Sequence, residues 1–227
     1  MWTRPSLLDF AKRYGTDKWG SHFYIPHYER HFAPYRDQTF NLLEIGVGGY
    51  KDPALGGESL RMWQDYFPNA TIVGIDLYEK HVAGPRIRVY QGDQTDAVFL
   101  ERVVAEAGPF RLIIDDGSHL NAHVIRTFEI LYPTLELGGV YAVEDLQTSY
   151  WSSFGGDMED LAGANTSLNF LKSLVDAVNY AERQGGVPSY VERHTVGVHF
   201  YHNLCFVDKR VNDEPSNIVK PRLTGEP

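Results

Sequence analysis

Arg111-Leu112-Ile113-Ile114-Asp115-Asp116 and, one helix further on, Gly139-Val140-Tyr141-Ala142-Val143-Glu144-Asp145 are two short apolar runs that each end in acids. Runs of this kind read as strands buried on both faces, which lie side by side in a parallel sheet. Parallel neighbours point their C-terminal ends the same way, so Asp116, Glu144 and Asp145 should converge at one sheet edge. That edge is where open α/β sheets hold ligands. Three carboxylates at close range repel one another, and the arrangement makes sense if a hard divalent cation such as Mg²⁺ neutralises them. His119 stands just beyond Asp116, and its near-neutral intrinsic pKa suits a general base; the plainer reading is a helix-start histidine bonded to Asp115 or solvent.

Working outward, strands and helices alternate. Phe40-Asn41-Leu42-Leu43-Glu44-Ile45-Gly46, Thr71-Ile72-Val73-Gly74-Ile75-Asp76 and Ile87-Arg88-Val89-Tyr90-Gln91 read as upstream strands. Leu60, Trp63 and Phe67 at helical spacing mark a helix over 59–67, and others are expected over 98–107, 124–131 and 168–181. Each strand followed by a helix implies right-handed parallel crossovers, closed by an antiparallel hairpin over 194–201 and 204–207. Residues 7–14 and 25–32 read as two short helices around the polar turn Gly15-Thr16-Asp17-Lys18-Trp19-Gly20. The expectation is one α/β domain over 1–227 with a helical flap (1–38), a core (39–209) and a tail (210–227) that is mobile from Asn212. Residues 150–163 read as a long loop at the mouth of the site.

Charge narrows the partners. A formal charge of −9 and a pI near 5.4 argue against nucleic acid or an anionic membrane surface, which would need clustered Lys and Arg. A small neutral or weakly charged substrate fits better. Cys205 is the only cysteine, so no intrachain disulfide can form, which suits a reducing cytoplasm. The N-terminus lacks a signal peptide's apolar core, and no segment approaches the ~18 residues of a membrane span. A soluble cytoplasmic protein is expected, and apolar residues on the N-terminal helices suggest a homodimer.

Glu44-Ile45-Gly46-Val47-Gly48-Gly49 follows a strand and precedes a helix, where glycines let a backbone approach a nucleotide. The plainer reading is a tight turn. Asp76, closing the next strand, can accept both ribose hydroxyls of an adenosine, or simply cap a helix. A nicotinamide dinucleotide and S-adenosylmethionine compete for this loop. The dinucleotide fingerprint wants a third glycine at the helix start, against a pyrophosphate. Here Tyr50-Lys51-Asp52-Pro53-Ala54-Leu55-Gly56-Gly57-Glu58-Ser59 delays the helix and departs from that pattern.

That glycine loop, Asp76, Gln91-Gly92-Asp93-Gln94 and Asp115-Asp116-Gly117-Ser118-His119 together resemble the ordered motifs of class I S-adenosylmethionine-dependent methyltransferases. More narrowly, Gly15-Thr16-Asp17-Lys18-Trp19-Gly20, Pro26-His27-Tyr28-Glu29-Arg30-His31-Phe32, Asp116-Gly117-Ser118-His119 and Glu144-Asp145-Leu146-Gln147-Thr148-Ser149-Tyr150-Trp151 resemble the catalytic domain of the mycinamicin 2''-O-methyltransferase family of metal-dependent sugar O-methyltransferases. The resemblance runs over residues 7–209. It implies a Rossmann-like fold with a seven-stranded, mostly parallel sheet, S-adenosyl-L-methionine and Mg²⁺ as cofactors, and methylation of a sugar or glycoside hydroxyl. Acceptors consistent with it are a polyketide deoxysugar, or a mannoside or rhamnoside of a methylated saccharide.

By position, the resemblance implies Gly46 and Gly48 beneath the methionine moiety, Ser59 on its carboxylate, Asp76 on the ribose, and Asp93 with Gln94 at the adenine edge. It implies Asp116, Glu144 and Asp145 as metal ligands and His119 as base, with Thr16, Lys18 and His27 reaching in from the flap over cofactor or substrate. Neighbouring residues at a strand end point to opposite sides, which puts Asp115 on the cofactor side, with helix capping as its alternative. Asp93 and Gln94 can equally be loop residues starting a helix. Tyr150, Trp151 and Phe154 form an aromatic wall for a sugar ring or an ordinary packed loop. His199 and His202 read as sheet residues rather than ligands. The family prototype carries a further N-terminal domain outside the resemblance, which leaves acceptor and assembly open. Rival readings are a catechol-type O-methyltransferase, a nucleotide-dependent oxidoreductase and a non-catalytic cofactor-binding module.

Overall fold

Successive residues of the central strands divide between two cores. Leu42, Ile72, Leu112, Ile114, Val140 and Ala142 pack on one side, and Leu43, Val73, Ile113, Tyr141 and Val143 on the other. This is the pattern of strands covered on both faces. The computed structural model describes residues 4–183 and 186–216. Its strands are β1 (Asn41–Ile45), β2 (Thr71–Asp76), β3 (Ile87–Gln91), β4 (Phe110–Asp115), β5 (Leu135–Val143), β6 (Thr195–Tyr201) and β7 (Leu204–Lys209). They form one sheet in the order β3-β2-β1-β4-β5-β7-β6. The first five are parallel; β7 runs antiparallel to β5, and β6 antiparallel to β7.

Helices α1 (Leu7–Tyr14), α2 (Ile25–Phe32) and α3 (Glu58–Tyr66) cover the first face, and α4 (Ala97–Ala107), α5 (Asn121–Leu131) and α6 (Ser167–Val178) the second. A short α7 (Tyr190–His194) precedes β6 and was not expected. Helix α1 is fixed at its start by a capping box between Ser6 and Asp9, and ends on Gly15 in the left-handed region at φ 69°. Leu7, Phe10 and Ala11 of α1, with Ile25, Tyr28 and Phe32 of α2, are buried against the domain itself. The apolar residues that suggested a homodimer are therefore spent on the chain's own core.

The tail also differs from expectation at its start. Asn212 is buried, and its amide donates to the carbonyls of Ala177, Val178, Glu192 and Thr195, tying the chain beyond β7 to α6 and α7. Of the remainder of the expected mobile tail, residues 217–227 lie outside the described residues. Cys205 is a free, buried thiol in β7. Among the described residues, no helix is long and apolar enough to cross a membrane.

Register decides where the chemistry goes. Ile45 pairs with both Ile75 and Asp115, and Asp115 with Val143, so the C-terminal ends of β2, β1, β4 and β5 lie level. The chain leaves β1 toward β2 on one side and returns to β4 on the other. The crevice between β1 and β4 is thus a topological switch point, where such sheets bind ligands.

Candidate active site

Strand alternation sends Glu44, Asp116 and Glu144 to the flap side of this edge, and there a lysine meets them. Lys18, in the turn between α1 and α2, puts its Nζ 2.6 Å from Asp116 Oδ2, 2.6 Å from Glu144 Oε1 and 3.2 Å from Glu44 Oε1. Its side chain is 1% exposed. Burial works against the ammonium, but the attraction of Asp116, Glu144 and Glu44 outweighs it and holds the pKa well above the ordinary lysine value. Three acids share this single cation, and burial followed by repulsion from Asp116 pushes the Glu144 carboxyl well up. Tyr28 donates to Glu144 Oε1 at 2.5 Å, and Trp63 Nε1 to Glu44 Oε2 at 2.9 Å. Oε1 of Glu144 is thus committed to Lys18 and Tyr28, and Glu144, expected as a metal ligand, lies in this buried layer and outside the group of ligand atoms that converge in front of it.

In front of this buried layer lies a more open group. Oxygens of Asp116 and Asp145 and a ring nitrogen of His119 fall within 4.8 Å of one another. His119 Nε2 is 3.6 Å from Asp145 Oδ2 and 4.0 Å from Asp116 Oδ1. Tyr24 donates to Asp145 Oδ1 at 2.7 Å, and His22 Nδ1 approaches the same oxygen at 3.7 Å. Burial opposes the Asp145 charge, yet the Tyr24 bond and the neighbouring histidines hold its pKa below the ordinary value. His119 and Asp145 both occupy the left-handed region, at φ 56° and 54°. Such backbone costs on the order of 1 kcal/mol or more for a residue with a side chain and gathers at functional sites. It turns His119, ahead of α5, back toward the acids.

Asp115 faces the opposite way. It is buried, accepts from Gln94 Nε2 at 3.2 Å, and leaves Oδ2 without a hydrogen bond; burial pushes its carboxyl up to about 7. The Gln94 amide also donates to Thr127 and accepts from the Ser118 N–H, so its side chain is committed to the protein interior. Asp93 Oδ1 accepts from the backbone and hydroxyl of Thr95. Asp76 accepts from Val47 N–H through one oxygen and Tyr78 N–H through the other. A carboxylate has about four acceptor sites, so room for hydroxyl donors remains.

The glycine loop is folded tightly under this edge. A Cβ on Gly46, at φ 90°, would lie 2.0 Å from the Asp116 carbonyl oxygen, so only glycine lets β1 and β4 meet there. A Cβ on Gly48 would meet nothing closer than 3.8 Å, which leaves that position open to a close-approaching ligand. Ser59 is buried in the first turn of α3. A tight glycine turn and an Asp at the end of β2 fit an adenosine cofactor. Hard oxygen donors from Asp116, Glu144 and Asp145 fit Mg²⁺.

Tyr150 and Trp151 are 39% and 48% exposed in the turn that follows Asp145. That turn is held by Asn121, which donates to the carbonyls of Thr148 and Phe154 and accepts from Ser149 and Ser167. His27 is elsewhere: its ring stacks on Tyr201 of β6 at 3.8 Å. Sequence reasoning missed the roles of Tyr24, Tyr28, His22 and Glu44. The two tyrosines one helical turn apart at the start of α2 were the available signal.

No family model matches the sequence. Among curated proteins the chain is similar to mycinamicin VI 2''-O-methyltransferase of Micromonospora griseorubida, 50% identical over 216 residues that cover 93% of this chain and 54% of that protein. It is also similar to 8-demethyl-8-alpha-L-rhamnosyl tetracenomycin-C 2'-O-methyltransferase of Streptomyces olivaceus, 46% identical over 222 residues, covering 96% and 58%. Among solved structures it superposes on MycE methyltransferase in complex with Mg, SAH and mycinamycin VI with a TM-score of 0.91 and 49% identity, covering 96% of this chain and 57% of that one. The chain therefore spans little more than half the length of the relatives it matches.

Proposed function

For a chain with the class I methyltransferase fold that resembles the catalytic domain of the mycinamicin 2''-O-methyltransferase family, we propose S-adenosylmethionine- and Mg²⁺-dependent methylation of a sugar hydroxyl in a glycoside. The observation that carries this reading is the convergence of Asp116, Asp145 and His119 at the sheet's switch point, beside a glycine loop and Asp76. The relatives' names add the acceptor class, a deoxysugar or rhamnosyl group on a polyketide.

Bound, Mg²⁺ supplies Lewis acidity toward an alcohol oxygen and S-adenosylmethionine supplies an electrophilic methyl group. Asp116, Glu144 and Asp145 would hold the metal; Gly46, Gly48, Ser59, Asp76 and Asp115, with the Asp93–Gln94 segment, would hold the cofactor. His119 takes the proton of the acceptor hydroxyl, and the oxygen's electron pair forms the new bond to the methyl carbon as the carbon–sulfur bond breaks. Tyr24 fixes Asp145, and Asp145 with Asp116 keeps the imidazole facing the acceptor. Tyr150 and Trp151 offer flat apolar surface to a sugar ring. We place the protein in the cytoplasm; a homodimer would have to form through surfaces other than the buried faces of α1 and α2, with the exposed Phe23 as one candidate.

A methyl-transfer screen over glycosides bearing free vicinal hydroxyls, with Mg²⁺ and with EDTA, tests this. A methylated glycoside formed only with Mg²⁺ is expected, and His119→Ala should lower the rate by about 10²–10⁴-fold. Turnover that survives metal removal would end the metal reading. Methylation of catechols alone would move the acceptor class, and NAD(H) binding without S-adenosylmethionine binding would replace the transferase by an oxidoreductase.

A further inference from the structure

The described residues hold a second group with metal-ligand spacing, on the edge of the sheet. His31 of α2, His199 of β6 and Asp208 of β7 each offer a ligand atom, and these lie within 4.8 Å of one another. His199 Nε2 is 3.0 Å from Asp208 Oδ2. Two ligands of a tetrahedral zinc ion at ~2.05 Å lie ~3.3 Å apart, so this pair is close to its ligating separation already. We propose that His31, His199 and Asp208 form a binding site for a borderline-soft divalent transition ion such as Zn²⁺, with solvent completing the shell.

Two features make the group more than a chance meeting of polar side chains. First, the His31 ring is held from two sides: it stacks on Phe206 at 4.2 Å with 14° between planes, and its Nε2 lies 2.9 Å from the Tyr201 hydroxyl. A ligating histidine is oriented by an outer partner on its other ring nitrogen, so with Nε2 on Tyr201 the ion would fall to Nδ1 of His31. Second, the hairpin leaves room. Gly197 pairs with Asp208 across the ladder, and a Cβ there would lie 3.1 Å from both Asp208 Oδ2 and His199 Nε2.

Two imidazoles and one carboxylate favour zinc, nickel or cobalt over magnesium, which separates this site chemically from the oxygen-rich one. The ligands join α2 to the closing hairpin, so an ion here would clamp the flap to the far edge of the sheet. Although His199 reads from sequence as a mere sheet residue, the antiparallel ladder and α2 bring it a partner each. The proposal is independent of the methyl-transfer reading.

The test uses the full chain without a histidine tag, stripped with EDTA and returned to Mg²⁺ buffer. It is titrated with Zn²⁺ by calorimetry and with Co²⁺ by visible absorption. In the Asp116→Asn, Asp145→Asn background, one equivalent should still bind and give tetrahedral cobalt bands; His199→Gln or His31→Gln should weaken it by about 100-fold. If the double variant does not fold, the comparison is wild type against His199→Gln, whose side chain is 43% exposed and whose loss should remove one equivalent. Zinc at about 100 times its dissociation constant should also raise the melting temperature of wild type and not of His199→Gln. No uptake in the double variant, or uptake unchanged by His199→Gln, overturns the site.

Discussion

Helix α2 ends on two clusters of nearly mirrored composition. At its N-terminus Tyr24 holds Asp145, in a set of two aspartates and one histidine; at its C-terminus His31 joins one aspartate and a second histidine. The ends are about 10 Å apart along the axis. They differ in what stands behind them. The first set is backed by a buried ammonium, Lys18, shared among Glu44, Asp116 and Glu144. Among the described residues the second has no buried ammonium of this kind and is steadied by the Phe206 ring and the Tyr201 hydroxyl. Carboxylates gathered in a low-dielectric crevice need a counter-charge in order to persist, whereas neutral imidazoles need only packing.

The sharpest way to break this contrast is to remove one ligand from each end. Asp116→Ala should lower methyl transfer by about 10⁴-fold, because the Lewis acid it helps to hold is worth several kcal/mol in the transition state. His199→Gln should leave the Mg²⁺-supported rate within about twofold, as expected of a surface change outside the site. Comparable losses in initial-rate assays would erase the distinction. Next in size is Lys18→Met, which strands buried acids without a cation. Urea unfolding without Mg²⁺ should show a loss of about 3–5 kcal/mol, partly recovered when Mg²⁺ is added. Unchanged stability would mean that the acids keep themselves neutral without help.

The smallest effect lies at the other end of the helix and is a pH dependence. His31 titrates near 4 in the folded chain against 6.5 ordinarily. As pH falls below 6.5 the unfolded chain takes up a proton that the folded chain refuses until about 4. The stability His31 contributes is therefore full above pH 6.5 and lost as pH falls through that window. Metal-free wild type should show a steeper fall in urea midpoint between those limits than His31→Gln. Equal slopes would place the titrating group elsewhere.

Much of the fold was legible because its signals are local and repeated. Uninterrupted apolar runs such as Leu112–Ile114 announce buried strands, and an acid after each run marks the edge where they end. The glycine loop, Asp76 and the acids Asp116, Glu144 and Asp145 all fell at strand ends for that reason. What escaped was long-range or masked. Lys18 sits in a polar turn, where a lysine ordinarily reads as solvated, and nothing local says that three acids far along the chain will enclose it. Strand β5 extends back to Leu135, beyond the apolar run read from Gly139, because Gly138 and Gly139 weaken the strand signal where the ladder shifts register. Helix α7 was visible as Ser189-x-x-Glu192, a capping box at the head of a very short helix. Asn121 and Asn212 reveal nothing of their anchoring roles, since each satisfies carbonyls from segments that only the folded chain assembles.

His119 and Asp145, both bent into the left-handed region, set stability and chemistry against each other at single positions. A glycine at either would relieve roughly 1 kcal/mol of backbone strain and delete a working side chain. Libraries of this protein selected by heat challenge alone should drift toward glycine or asparagine at 119 and 145, and the most robust survivors would be the least active.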